Sequence, residues 1–478
     1  PSVRGASQAY GLSFTPGTWV ESIQITKGAG SVVNGYESIS GQINTELIKP
    51  INDIPFFLNA YGSTDSRFEL NTHFNTQLSQ KWSSSLFVHG NTRVSKMDQN
   101  NDGFMDNPLA KQINVMNRYQ YYDAEKGLVS FINFRYMNDK KQSGEVDFDP
   151  DRDRGATNRW GSEINTQRLD LATKVGYVFK DMPFQSIGFQ NAFTLHNQNS
   201  YYGLNVYDIK QNSFYSNLIF NSIINNTKHK FATGINFAYD NYNEFVGLTD
   251  YGRVDNSVGA FFEYTYDNDD NFSLVLGGRV DNHNRLGTFV TPRLHLRYNP
   301  WEKSVLRFSA GRGKRAANIF AENQSLFASS RTFSILDTDG KIYGLNPEIA
   351  WNYGLSFNQK FQLFGRNGDA GFDLYRTDFQ NQAVVDVMQS PQQVLFYNLK
   401  GKSYATSLQI EFNYELANRF SLRSAYKYYD IQTQYLSGVY QRPLQAKHRF
   451  FGNLEYETGR SESGSQWRFD ATYNWLGK

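Results

Sequence analysis

Cysteine is absent from all 478 residues, which removes disulfides, thiolate metal sites and cysteine nucleophiles from consideration. No apolar stretch approaches the roughly 20 residues that a membrane-spanning helix needs, so if this chain crosses a bilayer it does so as strands. An excess of one charge is missing too: 48 Lys and Arg stand against 46 Asp and Glu, for a formal net charge of +2. With no long basic run, a phosphate backbone finds no electrostatic footprint, and nucleic acid is not an expected partner. The chain opens at Pro1 with neither a charged n-region nor an apolar h-region, as expected where a signal peptide has been removed or the N-terminus is missing. Nucleophile elbow, phosphate loop and HExxH motif are all lacking, so an enzymatic reading has nothing specific to stand on.

What the chain does have is aromatic surface. Phe, Tyr and Trp make up 16% of a sequence whose mean hydropathy is only −0.59. A water-filled transmembrane barrel reconciles the two numbers, because each strand needs apolar side chains on one face only and collects its rings outside and at the two interfaces. The alternation this demands is legible. Leu408, Ile410, Phe412, Tyr414 and Leu416 interleave with Gln409, Glu411, Asn413 and Glu415. Leu169, Leu171, Val175, Tyr177 and Phe179 interleave in the same way with Arg168, Asp170, Ala172, Lys174 and Gly176. Near the end, Trp467, Phe469, Ala471, Tyr473 and Trp475 place a Trp at each end of an apolar band, as an aromatic girdle requires.

From about residue 53 to 478 the pattern predicts roughly 18–20 such strands joined by alternately short and long connections. The short ones, such as 225–228, 267–271 and 416–419, suit tight turns. The long ones, 95–111, 139–165 and 312–347, are rich in Gly, Asp and Asn, and segments of that length usually have a task. A soluble sandwich, propeller or β-helix would also alternate. No fixed repeat period supports the last two, and strand length with aromatic ends favours the membrane barrel. Residues 1–52 read differently, as two strands, 20–26 and 39–48, around a Gly-rich turn, with Pro50 and Pro55 marking the boundary.

Residues 19–45, WVESIQITKGAGSVVNGYESISGQINT, resemble the end of the plug domain of TonB-dependent outer-membrane receptors. Lys27, Gly28, Gly35 and Gly41 fall at that family's plug-loop positions, where glycines allow positive φ and close approach to the barrel wall. Further along, GGRVD (277–281) with TPRL (291–294), LRFSAGRGKR (306–315), LNPE (345–348) with WNYG (351–354), and NLKG (398–401) before Gln409 and Glu411 resemble the family's barrel motifs in order. The resemblance implies an all-β fold: a transmembrane antiparallel β-barrel of the 22-stranded type, incomplete here, with the C-terminal part of a plug (1–52) inside it.

It also implies a function. A receptor of this kind sits in the outer membrane of a Gram-negative bacterium, in contact with its lipid. It takes up a scarce nutrient (siderophore, cobalamin, metal, glycan or peptide) with energy relayed by a TonB-type coupling protein, and some such receptors work with a surface lipoprotein. The rival reading is a passive channel or a barrel scaffold for partner proteins. The plug stretch speaks against it, since a simple porin has no strand pair before its barrel.

Two sets of residues are candidate sites. Arg4, in a piece that resembles the family's Val-Arg-Gly plug element, and Glu348 and Glu411, at positions that the resemblance places on the lumen face, form a candidate plug-to-wall latch, because carboxylate and guanidinium in a confined polar lumen pair through charge-assisted bonds; ordinary lumen-lining charge explains them equally well. Asp98, Asn100, Asp102, the Phe104 carbonyl and Asp106 have the spacing of a calcium loop with Gly103 at its turn, but Leu109 stands where the bidentate Glu belongs, so an Asx-rich turn competes with calcium. No other cofactor is expected. Asp147, Asp149, Asp151 and Asp153 read as a solvated loop tip, and no histidine pair has ligand spacing along the chain.

Overall fold

The computed structural model describes residues 5–51 and 53–477. From Phe56 the chain is almost wholly antiparallel strand, each long strand pairing with the next. The strand Ser403–Ala417 shows why the sheet curls with one face inward. Ile410 and Phe412 stand exposed on its outer face. On the other face Gln409 bonds Glu411, and Asn413 donates to Asp369 of the neighbouring strand at 2.9 Å. Lipid offers such groups no partner, so the polar row turns to the lumen and the apolar row out.

Among the described residues the wall has nineteen long strands, from Phe56–Gly62 to Arg468–Gly477. These two end strands are neighbours where the wall closes on itself, and nearly all their residues are exposed. Strand length varies around the wall. Met182–Tyr202 and Asn226–Val246 run 21 residues each, whereas the two end strands have 7 and 10.

At one end of the barrel the connections are tight. Asn225, Asp269, Phe364 and Arg419 take positive φ there, and the Asn268 side chain accepts from the amides of Asp270, Asn271 and Phe272. At the other end long loops project, including 94–108, 145–160 and 316–347. A fourth, 382–402, contains two short apolar runs, Ala383–Val385 and Val394–Tyr397, and was not among the long connections that the sequence pattern marks. The strands that hold them, Ala383–Asp386 and Gln393–Asn398, pair with each other, and the second also pairs in parallel with Thr332–Ile335. Two loops therefore share one small sheet at the mouth. Beneath it Ile319, Phe320, Phe327, Val394 and Phe396 are buried together with Tyr207 and Tyr242 of the wall.

Residues 5–51 lie within the lumen. They form short 3-10 turns at Gly5–Ser7, Gly11–Phe14, Gly17–Trp19 and Val32–Asn34, and a hairpin of β1 (Val20–Lys27) and β2 (Gly41–Leu47). Trp19 is buried against Phe87 and Met116 of the wall, with Leu47 and Ile48 beside it.

Candidate functional site

The contact between this inner domain and the wall is built chiefly from wall side chains that seize main-chain carbonyls. Arg293 donates to Gly30 O at 2.6 Å, Ser31 O at 2.9 Å, Gly35 O at 3.1 Å and Ser38 O at 3.3 Å, so a single guanidinium gathers both ends of the loop between β1 and β2. Arg279, fully buried, donates to Val32 O at 2.7 Å and is held in place by Asp281 and Asn236. On the opposite wall Arg135 and Asn114 both donate to Phe14 O, the latter at 2.6 Å. Arginine suits this work, since its planar fork serves several acceptors at once.

Wall glycines make the close fit sterically feasible. A Cβ on Gly277 would lie 2.8 Å from Val32 Cγ2, one on Gly311 2.4 Å from Ala29 Cβ, and one on Gly313 2.5 Å from Ile39 Cγ1. Val32 and Ala29 are completely buried as a result. The loop is thus seated side chain into notch, with its polar backbone tied to arginine.

The expected plug-loop residues behave differently from one another. Lys27 forms an ion pair with Asp373 of the wall. Gly28 has φ +82°, and an added Cβ would meet Ser309 Oγ at 2.9 Å, so it answers both to backbone sign and to the nearby wall. Gly35 has φ +109° with nothing near it. Gly41 corrects the expectation: it has no positive φ, and its close neighbour is Thr26 O of its own hairpin, at 3.0 Å, not the wall.

The latch residues are not assembled into one clasp. Arg4 lies outside the described residues. Glu348 takes Arg315 from the adjacent strand at 2.6 Å, and Glu411 is bonded to Gln409. By register Glu411 lies opposite Gly371 and so level with Asn358, ten positions along the strand from Glu348. That is on the order of 30 Å, too far for one guanidinium to serve both carboxylates.

In the loop holding Asp98, the expected calcium ligands bond within the loop. Asp98 accepts from Asp102 N at 3.1 Å and Gly103 N at 2.9 Å, Asn100 from Asp102 N at 3.3 Å, Asp102 from Phe104 N at 2.8 Å, and Asp106 from Gln99 N at 2.8 Å. Among the described residues no group of three or more acid or histidine side chains is arranged to hold a metal ion. In loop 145–160 the acidic run caps a helical turn: Asp149 accepts from Asp151 N at 3.0 Å. The Arg152 guanidinium, then the Asp149 amide, holds the Asp153 carboxyl well below the usual carboxylate range.

The mouth loops carry a second polar knot that the sequence did not reveal. Arg253 donates to Glu244 at 2.9 Å, to Tyr343 Oη of loop 316–347 at 2.7 Å and to Asn318, and lies 4.0 Å over the Tyr242 ring. Burial, with Glu244 beside it, pushes the Tyr343 hydroxyl well above the ordinary phenol value. Arg315 grips Glu322 through two bonds of 2.9 and 2.8 Å. Loop 316–347 is thus fastened across the mouth at both ends. The only signal for this in the sequence was loop length.

These features define a plugged transmembrane β-barrel of the 22-stranded type, incomplete here. The chain belongs to the family described as TonB dependent receptor-like, beta-barrel, whose model matches residues 98–478. Among solved structures it resembles the copper transporter OprC, at 11% identity and a TM-score of 0.75 over 99% of this chain and 75% of that one. It also resembles the alcaligin outer membrane receptor FauA from Bordetella pertussis (13%, TM-score 0.68, 98% and 76%). A third is the siderophore receptor PirA from Pseudomonas aeruginosa (12%, TM-score 0.64, 97% and 88%). At such identities the likeness is one of fold. Comparison with curated proteins finds no match.

Proposed function

We propose that this chain is the receptor and gated wall of an energised importer that carries a scarce nutrient across the outer membrane of a Gram-negative bacterium, and that it is not an enzyme. One observation carries the reading: the plug is seated by polar, separable bonds from wall arginines to its loop and to Phe14, in a polar lumen and not in a continuous apolar core. A pull on the plug therefore exchanges side-chain bonds for water, which costs far less than exposing a packed core. In this reading cargo is received at the mouth, under loops 316–347 and 382–402, and the pull comes from a TonB-type coupling protein.

The neighbours support the class without naming the cargo: the three solved structures above are a copper transporter, an alcaligin receptor and a siderophore receptor. Another neighbour is described with its hemophore and heme, and another with a pyocin, so protein partners at the mouth, a surface lipoprotein among them, fit the same surface.

The test is uptake by cells carrying or lacking the gene, offered labelled ferric siderophore, heme, copper or cobalamin in turn, with and without a protonophore. Gene-dependent uptake of one of them that stops when the proton-motive force collapses is the expected result. Uptake that persists under protonophore would mean a passive channel instead.

A further inference from the structure

Between β1 and the wall lies a cavity of about 410 Å³ on the short-turn half of the lumen. Two of the side chains lining it, Arg297 and Arg307, sit directly opposite one another on neighbouring strands. Like charges in that position repel, so the arrangement destabilises the sheet unless something negative lies between them. Nothing in the described protein does: both arginines are exposed to the cavity and neither makes a hydrogen bond or ion pair with a described residue.

The nearby acids are already engaged. Asp373 is paired with Lys27, Glu411 bonds Gln409, and Glu263 accepts from Ser31 Oγ at 2.7 Å. The ladder register puts a serine on either side of the two arginines at the same height, Ser273 opposite Arg297 and Ser356 opposite Arg307. Followed further, the same row runs through Asp373 and Gln409 to Lys427 and Arg449, a second directly opposed pair of cations. The plug hairpin adds Lys27 at this level, and His295 lies one step above it on the lumen face.

We infer that Arg297 and Arg307, flanked by Ser273 and Ser356, form an oxyanion site on the lumen wall that receives a carboxylate or phosphate group of the cargo as it passes the plug. The chemistry matches the residues. Two guanidinium forks offer parallel N–H donors to a planar carboxylate or to phosphate, and the serine hydroxyls supply further donors at the edges. The cation pair farther along the row gives a leaving anion a second station, so the negative charge is passed along the wall and not trapped. The site deepens the import reading, on which its role in transport rests, by assigning the cargo an anionic group.

The experiment is titration of the purified protein in detergent, at low ionic strength, with inorganic phosphate and separately with citrate, read by calorimetry. Arg297→Gln, Arg307→Gln and the double variant are compared with Arg460→Gln, a charge-matched change in a turn outside the lumen. Heat-modifiable migration on gels confirms that each barrel is folded. The parent and Arg460→Gln should bind, each single variant should bind about ten-fold more weakly, and the double variant about a hundred-fold or more weakly, retaining at most the binding of the Lys427 and Arg449 pair. A preference for citrate over phosphate marks a carboxylate as the group received, and the reverse marks a phosphate. Absence of binding to the parent, or equal affinity in the folded double variant, overturns the site. Cellular uptake that ignores the proton-motive force would remove the import reading, while the titration still decides the oxyanion site on its own.

Discussion

Gly311 of the wall and Ala29 of the plug approach so closely that a β-carbon on the glycine would lie 2.4 Å from that of the alanine. The plug loop is therefore positioned by missing atoms as much as by bonds. Gly311→Val should push Ala29 out of its notch and loosen the loop by about 1–3 kcal/mol, the usual penalty of overpacking. Gly278→Ala, where an added Cβ meets nothing within 4 Å, should be silent. Amide hydrogen exchange over residues 28–39 separates the two outcomes, and unchanged protection in Gly311→Val would refute the notch.

Arg293 tests the bonds themselves. Arg293→Ala removes the donor that holds four loop carbonyls and should weaken seating by about 1.5–3 kcal/mol, the range for hydrogen bonds to a charged group. Arg293→Lys restores the charge but not the fork and should recover only part of it. Protease nicking within residues 28–39 of the folded barrel is the readout. Full recovery by lysine would mean that charge alone matters.

Removing the Tyr343 hydroxyl takes away an acceptor for Arg253 and a donor to Glu244. Tyr343→Phe should raise exchange in loop 316–347 while leaving the plug loop as it was. The pH dependence follows from the same contacts. The Tyr343 pKa is raised on folding, so its contribution is complete below the ordinary phenol pKa of about 10 and is lost as pH rises above it. Loop protection should be flat from neutral pH to about 9 and fall beyond about 10. A fall near neutrality would point to another group.

Loop 145–160 should respond to pH in the opposite sense. Asp153 has a folded pKa below its unfolded one, so its stabilisation is present above the unfolded carboxylate value of about 4 and disappears as pH falls through that region. Asp153→Asn should remove the dependence. Limited proteolysis of the loop between about pH 6 and 2 measures it, and an acid transition that survives in the variant would assign it elsewhere.

For Asp98 to Asp106, the Asx bonds described above predict a turn that is ordered without a cation. Resistance to protease should persist in chelator and drop in Asp98→Ala. Added calcium that markedly increases protection in the parent and not in Asp102→Ala would show those oxygens turning to a cation, in the weak range of extracellular sites.

The wall was readable from sequence because it is a local, repeated signal. Leu408, Ile410 and Phe412 against Gln409, Glu411 and Asn413 state which face meets lipid without reference to the rest of the chain. The plug hairpin was readable for a similar reason, its two strands being close in sequence. What joins plug to wall was not. Arg293 and Gly30 are separated by 263 positions, and an arginine on a lumen face looks the same whether it meets water or a distant carbonyl. Glu348 was expected to reach toward the plug, but Arg315, its direct cross-strand partner, satisfies it first. Gly277 and Arg279 stood in a quoted motif, yet nothing nearby in sequence says that Val32 enters the notch and that its carbonyl meets the guanidinium.

The unequal strand lengths have a consequence for traffic. A span of lipid needs about 9–11 tilted residues, so the 21-residue strands Met182–Tyr202 and Asn226–Val246 carry about ten to spare, on the order of 30 Å of strand. Because the opposite ends close in tight turns, the surplus stands on the side of the long loops. The rim is therefore uneven, with a high parapet around Gly203 and Gly247 that a bulky partner arriving from outside meets first.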